Sequence, residues 1–142
     1  MKIYFAASIT GGRDHAALYQ GIVEHLKKYG TILTEHIADS NMTSQGEQHD
    51  PTFVYNRDMA WLKEADVLVA DVSTSSLGVG YEIGKAEQLG KPILCLYFEQ
   101  QGKVLSRIIS GNPRVIVASY KAVEEATVTI DDFFAALHKR PN

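Results

Sequence analysis

Residues 65–98 carry the clearest secondary-structure pattern of this chain; they read ADVLVADVSTSSLGVGYEIGKAEQLGKPILCLYF. The unbroken apolar run at 67–70 is typical of a strand that is covered on both faces of a parallel sheet. The turn-rich loop 73–80 leads into a helical pattern that ends near Gly90, and Ile93–Phe98 is the next apolar strand. This order predicts a strand–helix–strand unit with parallel strands.

The same alternation of patterns extends over the other parts of the chain. Further strands are predicted at 3–7, 31–34 and 115–117, and helices at 14–29, 51–65, 104–109 and 130–137. The 142 residues show no repeat or linker, so we expect one domain over residues 1–142. We predict an α/β fold, a Rossmann-like (flavodoxin-like) three-layer sandwich with about five parallel strands.

Ligands of such a sheet bind outside the carboxyl ends of its strands. The loops that lie there in the predicted order are 8–13, 35–50, 71–80 and 99–103. The stretch 38–50 is the one long polar loop, and long loops in compact domains are often binding loops.

Composition narrows the classes of partner. The net charge is −3 and no run of Lys or Arg occurs, so we expect neither a nucleic-acid polymer nor an anionic membrane as partner. Cys95, the one cysteine, sits in an apolar run and is expected in the core, which fits a reducing compartment. Without a secretory pattern or a membrane-spanning apolar stretch, a cytoplasmic protein is expected, or also a nuclear one in a eukaryote.

Asp58 lies within the apolar stripe of the predicted helix 51–65. It is four residues after Val54 and four before Leu62, so it faces inward rather than toward solvent. An inward carboxylate is costly unless it is paired or functional. The pattern alone leaves two alternatives, a functional carboxylate or one at the stripe's edge bonded to a neighbouring loop.

Glu82 lies in the first turn of the helix after the loop 73–80. It shares a face with Ile83, Ala86 and Leu89, at the end of the sheet where ligands bind. The helix dipole favours an ionised carboxylate there. The pattern is compatible with a catalytic residue and also with an ordinary first-turn Glu that stabilises the helix.

Two loops offer small anion sites. Ser76, Gly78 and Gly80 precede or open a helix, where free N–H groups and hydroxyls suit a phosphate, although G-x-G alone is also an ordinary tight turn. Ser8 and the run 11–13, Gly11-Gly12-Arg13, form a second candidate after the first strand, with Arg13 equally compatible with a solvated position.

Two carboxylates beside a phosphate loop suggest glycosidic chemistry. One carboxylate attacks the anomeric carbon while an acid protonates the leaving group, and this needs no metal or cofactor. The histidines support no metal site, since His36 and His49 have no partner at ligand spacing. His15 and His138 are expected to face solvent.

The motifs together resemble the nucleoside 2-deoxyribosyltransferase superfamily. The likeness runs from about residue 3 to about residue 120 and is carried by the opening strand and loop 3–13 and by the stretches 33–36, 58–62, 65–67 and 76–84. It is closest to the members that hydrolyse 2′-deoxynucleoside 5′-monophosphates. These members release the free base and 2-deoxyribose 5-phosphate.

The resemblance implies a role for each matching residue. Glu82 would form the covalent sugar intermediate, Asp58 would serve as general acid and base, and Tyr4 would hold the reaction centre. The substrate would be bound by residues of the first loop, of the base side and of the phosphate side: Ser8, Ile9, Thr10, Gly11, Gly12, Arg13, His36, Ser76, Gly78, Ser106 and Ile108. The resemblance also implies a homodimer in which Ser106 completes the partner's site.

Departures from the family pattern affect the expected substrate. Animal members carry arginine at the position of Thr10, they differ around Ile108, and the stretch 38–52 matches poorly. Base preference is therefore left open by the sequence. Alternative functions are a nucleoside 2-deoxyribosyltransferase, a hydrolase of ribonucleotides such as CMP, and a nucleotide-binding module without catalysis.

Overall fold

A computed structural model of the chain describes residues 1–9, 15–39, 47–100 and 102–140. The strands are β1 (Lys2–Ala6), β2 (Thr31–Ile32), β3 (Val67–Asp71), β4 (Ile93–Phe98) and β5 (Ile116–Tyr120). The helices are α1 (Ala16–Leu26), α2 (Pro51–Glu64), α3 (Leu77–Gln88), α4 (Arg107–Ser110) and α5 (Val123–His138), and a short 3₁₀ helix (Glu35–Ala38) lies between β2 and α2.

The five strands form one parallel sheet in the order β2-β1-β3-β4-β5. Helices α1 and α5 pack on one face of this sheet, and α2 and α3 pack on the other. The central strands β1, β3 and β4 are apolar on both faces because helices cover both faces. The predicted three-layer α/β sandwich is confirmed.

The alternation of side chains along β1 decides which of them can meet α2 and α3. Ile3 and Phe5 join the core beneath α1 and α5, whereas Tyr4 and Ala6 join the core beneath α2 and α3. The helical part of this second core is formed by Leu62, Ala65, Val79, Ile83 and Ala86. Tyr4 therefore lies on the same side of the sheet as the two helices that carry Asp58 and Glu82.

Local chemistry explains where two elements begin and end. Helix α2 starts as predicted at Pro51, because the side chain of Asp50 accepts a hydrogen bond from the backbone N–H of Thr52 at 3.0 Å. Strand β2 ends two residues earlier than predicted. The hydroxyl of Thr34 donates to the carbonyl of Phe5 at 2.6 Å and accepts from its N–H at 2.9 Å, replacing the strand ladder there.

Three sequence-based expectations are wrong in detail. Helix α5 begins at Val123 rather than at residue 130, because the β-branched run 127–129 hides a helical turn in the pattern. Helix α4 begins at Arg107 rather than 104, and Val104 is 84% exposed. His15 is buried rather than solvent-facing; its ring centroid lies 5.4 Å from that of Phe98, with the two rings tilted by 55°, and its Nε2 lies 3.0 Å from Gln100 Nε2.

Cys95 lies in the core, as expected. It is fully buried in β4, and burial raises the pKa of its thiol to about 12. Among the described residues, no helix is both long and apolar enough to cross a bilayer.

Candidate active site

A cavity of about 400 Å³ opens at the carboxyl end of β1, between α2 and α3. This is the edge of the sheet where the sequence predicts a ligand site, and the volume lies within the range of small-molecule sites. The described residues that line it include Tyr4, Ile9, Thr34, Ile37, Glu47, His49, Val54, Tyr55, Asp58, Ser76, Gly78 and Glu82.

Glu82 reaches the floor of the cavity from the second turn of α3. The predicted first-turn position is wrong, because the helix begins at Leu77, within the stretch that was expected to be a loop. The hydroxyl of Tyr4, which is 2% exposed, donates a hydrogen bond to its carboxylate. Burial and, second to it, the charge of Asp58 raise the pKa of Glu82 to about 8, although the Tyr4 hydrogen bond lowers it. The pKa of Tyr4 is itself raised, first by burial and then by the two carboxylates, so its hydroxyl stays a donor.

Asp58 reaches the same cavity from the middle of α2. Its side chain is 18% exposed, which agrees with its predicted place in the apolar stripe. Burial raises its pKa, and the guanidinium of Arg57, whose Nη2 lies 2.8 Å from Asp58 Oδ1, opposes this rise.

The two carboxyl groups act on each other electrostatically. The charge of Asp58 raises the pKa of Glu82, so the loss of both protons is disfavoured. At neutral pH the pair therefore retains a proton. One ionised carboxylate and one carboxyl group are what a nucleophile and a proton donor require.

The start of α3 lies beside this pair and lines the same cavity. The hydroxyl of Ser76 caps the helix by accepting from the N–H of Val79 at 3.3 Å. Gly78 lines the cavity with no side chain, and helix geometry leaves the N–H groups of Leu77 and Gly78 without helical partners.

Several predicted residues do not line the cavity. Ser8 is fully buried beside it, and its Oγ has no hydrogen-bond partner among the described residues. His36 lies behind the cavity wall, where its Nε2 contacts Glu47. Residues 10–14, which include Thr10, Gly11, Gly12 and Arg13, lie outside the described residues.

Ser106 and Ile108 belong to a second, adjoining groove of about 890 Å³. It is lined by residues of α3, α4 and the segments before them, and it shares Ser76 and Val79 with the cavity. Ile108 is 82% exposed, and Leu77 on the same rim is 96% exposed. In its own chain, Ser106 therefore does not reach the Glu82 cavity.

Sequence reasoning missed two charged residues at the site. Arg57 contacts Asp58, and its Nη2 also lies 2.8 Å from both carboxylate oxygens of Glu47. Glu47 lines the cavity with a side chain that is 9% exposed. Its position in a polar loop without periodicity gave no signal, whereas Arg57 could have been suspected from its place next to an inward carboxylate.

No group of three or more His, Cys, Asp or Glu side chains within the described ranges is arranged to hold a metal ion. The histidines pair instead with protein groups, as with His36 and Glu47 or His25 and Asp131.

The family model for nucleoside 2-deoxyribosyltransferase matches residues 3–132. The chain belongs to the nucleoside 2-deoxyribosyltransferase family. A curated family member, the 5-hydroxymethyl-dUMP N-hydrolase of Mus musculus, is 48% identical over 140 residues, covering 95% of this chain and 80% of the relative. A putative 2′-deoxynucleoside 5′-phosphate N-hydrolase of Nematostella vectensis is 43% identical over 141 residues, covering 96% of this chain and 95% of the relative.

A solved structure shows the same fold at lower identity. The CMP N-glycosidase of Clostridium botulinum superposes with a TM-score of 0.66 at 22% identity, covering 92% of this chain and 99% of that one. This likeness confirms the predicted fold, and the match of the family model confirms the predicted superfamily.

Proposed function

We propose that this member of the nucleoside 2-deoxyribosyltransferase family hydrolyses the N-glycosidic bond of 2′-deoxynucleoside 5′-monophosphates. The observation that carries the proposal is the pairing of Glu82 and Asp58 on the floor of one cavity, beside the start of α3. The names of relatives at 43% and 48% identity point to the same reaction class.

The proposed reaction begins with attack by Glu82. Its ionised carboxylate displaces the base from C1′ and forms a 2-deoxyribosyl 5-phosphate ester, while Asp58 gives its proton to the departing base. Asp58 then accepts a proton from a water molecule, which attacks C1′ and releases Glu82. Tyr4 holds the Glu82 carboxylate in place through its hydrogen bond.

The 5′-phosphate is proposed to bind at the start of α3. The N–H groups near Gly78 and the hydroxyl of Ser76 would receive its oxygens, which are remote from the bond that breaks. Binding energy from this remote group positions C1′ against Glu82. Residues Ser8 to Arg13 are proposed to continue this site from the loop after β1.

A homodimer would complete the phosphate site. Ser106 faces a groove next to the cavity rather than the cavity itself, and the groove's rim carries the exposed apolar side chains of Leu77, Val104 and Ile108. We propose that a second copy covers this apolar rim and brings its Ser106 to the phosphate. A cytoplasmic or nuclear location is proposed as well, since a free buried Cys95 suits a reducing compartment.

A substrate panel tests the reaction class. The protein is incubated with the four canonical deoxynucleoside monophosphates, 5-hydroxymethyl-dUMP, the matched ribonucleotides and the matched nucleosides, and free base is measured by chromatography. We expect base release from deoxynucleoside monophosphates alone. Release only from nucleosides or only from ribonucleotides would contradict the proposal.

A transferase is the second candidate because the matching family model carries that name. In a transferase, a second base rather than water captures the sugar on Glu82. Adding a free acceptor base to the reaction distinguishes the two. Appearance of the new nucleotide in place of 2-deoxyribose 5-phosphate would assign transfer rather than hydrolysis.

A further inference from the structure

Arg57 is a fixed cation that lies between two carboxylates of the cavity. Its Nε and Nη2 contact Asp58 Oδ1 at 2.9 and 2.8 Å, and the same Nη2 contacts both oxygens of Glu47 at 2.8 Å. The guanidinium carbon lies 4.7 Å from the ring centroid of Trp61, and the side chain is 16% exposed. Neighbouring residues on a helix do not normally face each other, so this contact requires the Arg57 side chain to fold back onto Asp58.

Glu47 is held from its other side by His36. The Nε2 of His36 contacts Glu47 Oε1, and burial lowers the pKa of His36 while the charge of Glu47 opposes that effect. Glu47 lines the cavity and is almost fully withdrawn from solvent. Its carboxylate is therefore fixed close enough to share the guanidinium with Asp58.

We propose that Arg57 is a positioning residue for Asp58, and that Glu47, by sharing the same guanidinium, helps to set which member of the Asp58–Glu82 pair holds their common proton. The inference rests on the proposed function, which requires that proton on Asp58 and an ionised Glu82 when the base departs. Arg57 and Glu47 would thus affect the reaction without touching the bond that breaks.

Arg57 and Glu47 have opposite electrostatic effects on the ionisation of Asp58. A guanidinium bound to Asp58 favours the ionised form of Asp58, which leaves the proton on Glu82 and blocks attack by that oxygen. Glu47 weakens this stabilisation of the ionised Asp58, because its own negative charge offsets part of the positive charge of Arg57. One proton can then pass from the Glu82 carboxyl to the Asp58 carboxylate, with no change in the net charge of the pair.

The other titratable groups around Asp58 come from every element that surrounds the cavity. Among the described residues, Arg57 is the only cation that forms a hydrogen bond with Asp58. These groups are Tyr4 from β1, Glu82 from α3, His36 from the 3₁₀ helix, Tyr55 from α2, and Glu47 and His49 from the segment before α2.

Two substitutions should move the titration of Asp58 in opposite directions. In R57M the cation is lost but an unbranched side chain can still pack on Trp61, so we expect the titration midpoint of Asp58 to rise by about one pH unit or more. In E47Q the full charge of Arg57 is left to Asp58, so we expect its midpoint to fall. The measurement is the carboxyl ¹³C shift of Asp58 against pH in the free protein, with the signal assigned by its loss in D58N.

Two surface substitutions on α2 serve as matched controls. K63M removes a cation and E64Q removes a carboxylate, and both side chains are exposed at the far end of the helix from the cavity. Neither should move the Asp58 midpoint appreciably. The pH dependence of base release should shift in R57M and E47Q in the same directions as the NMR titration.

The proposal is overturned if R57M and E47Q shift the Asp58 midpoint in the same direction or no more than the controls do. It is also overturned if R57M lowers the rate of base release with an unchanged pH profile, since that would indicate a merely structural role. If R57M does not fold, the near-isosteric E47Q still decides the direction. The NMR titration needs no substrate, so a failure of the proposed function would appear separately, as a wild-type protein that releases no base.

Discussion

At the scale of single residues, the buried carboxyl group of Glu82 lowers the stability of the folded protein as pH rises. It lies on the cavity floor, where burial and the nearby Asp58 raise its pKa to about 8. A carboxyl group whose pKa is raised by folding takes up protons as the chain folds, so the folded state loses stability as pH rises. For Glu82 this loss begins near its ordinary value of 4.5 and is complete above about 8.

We therefore predict that E82Q is more stable than the wild type at high pH. A pKa difference of one unit corresponds to about 1.4 kcal/mol, so the gain in the free energy of unfolding at pH 8.5 should be at least about 1 kcal/mol. The gain should shrink as pH falls toward 4.5. Urea unfolding at several pH values measures it, with the surface variant E64Q as control; an equal effect of both variants, or a gain that grows at low pH, would refute the account.

At the scale of secondary-structure elements, the start of α3 is the part of the fold that shapes the proposed phosphate site. Ser76 caps the helix, and Gly78 leaves room above the first turn. A Cβ built on Gly78 meets nothing closer than Ser76 Oγ at 3.8 Å, so alanine fits the protein at this position. The added methyl group would instead occupy space in the cavity.

We predict that G78A folds normally but binds the 5′-phosphate poorly. Its KM for a deoxynucleoside monophosphate should rise about tenfold or more, which corresponds to about 1.4 kcal/mol of lost binding, with no loss of thermal stability. The control is Q88A, at the exposed end of the same helix. Steady-state kinetics and thermal unfolding of both variants provide the test, and an unchanged KM in G78A would place the phosphate elsewhere.

Sequence patterns predicted most of the helices and strands but missed some of their ends and one charged residue of the cavity. Period-2 and period-3.6 patterns indicated the layers of the fold and the inward position of Asp58. The start of α5 was missed because three consecutive β-branched residues conceal a helix that is stabilised by packing of Phe133 and Phe134. Glu47 was missed because tertiary contacts with Arg57, and not a local pattern, fix its carboxylate.

At the scale of the whole molecule, the position of Ser106 makes the proposed dimer testable through function. Ser106 lies in the groove beside the cavity of its own chain, and the groove's rim is apolar and exposed. If Ser106 serves the partner's site, then Glu82 and Ser106 of one site come from different chains.

We predict that mixing E82Q and S106A restores activity that neither variant has alone. After subunit exchange, a mixed dimer has one site with both residues intact, and a 1:1 mixture should recover about a quarter of the wild-type activity. Light scattering checks that each variant is dimeric, and a mixture of E82Q with D58N, whose altered residues belong to one site, is the control that should stay inactive. No recovery in the first mixture would assign Ser106 to its own chain or to no site.

The predicted function came from the likeness to a family more than from the residue patterns. Residue patterns alone left Asp58 and Glu82 as two candidates with structural alternatives. The fold brings them together with Tyr4, because α2 and α3 cover the face of the sheet on which the Tyr4 side chain of β1 lies. The sequence left the base preference open, and no periodic pattern marked Glu47 or His49 as residues of the cavity.

The most direct test of the account is to look for the sugar on Glu82 during turnover. The protein is mixed with a deoxynucleoside monophosphate that it cleaves, quenched rapidly, and examined by intact-protein and peptide mass spectrometry, with E82Q treated in the same way. We predict a mass increase of one 2-deoxyribosyl 5-phosphate group on the peptide that contains Glu82, and no adduct and no base release in E82Q. Base release by E82Q at the wild-type rate, or an adduct on another residue, would contradict the account.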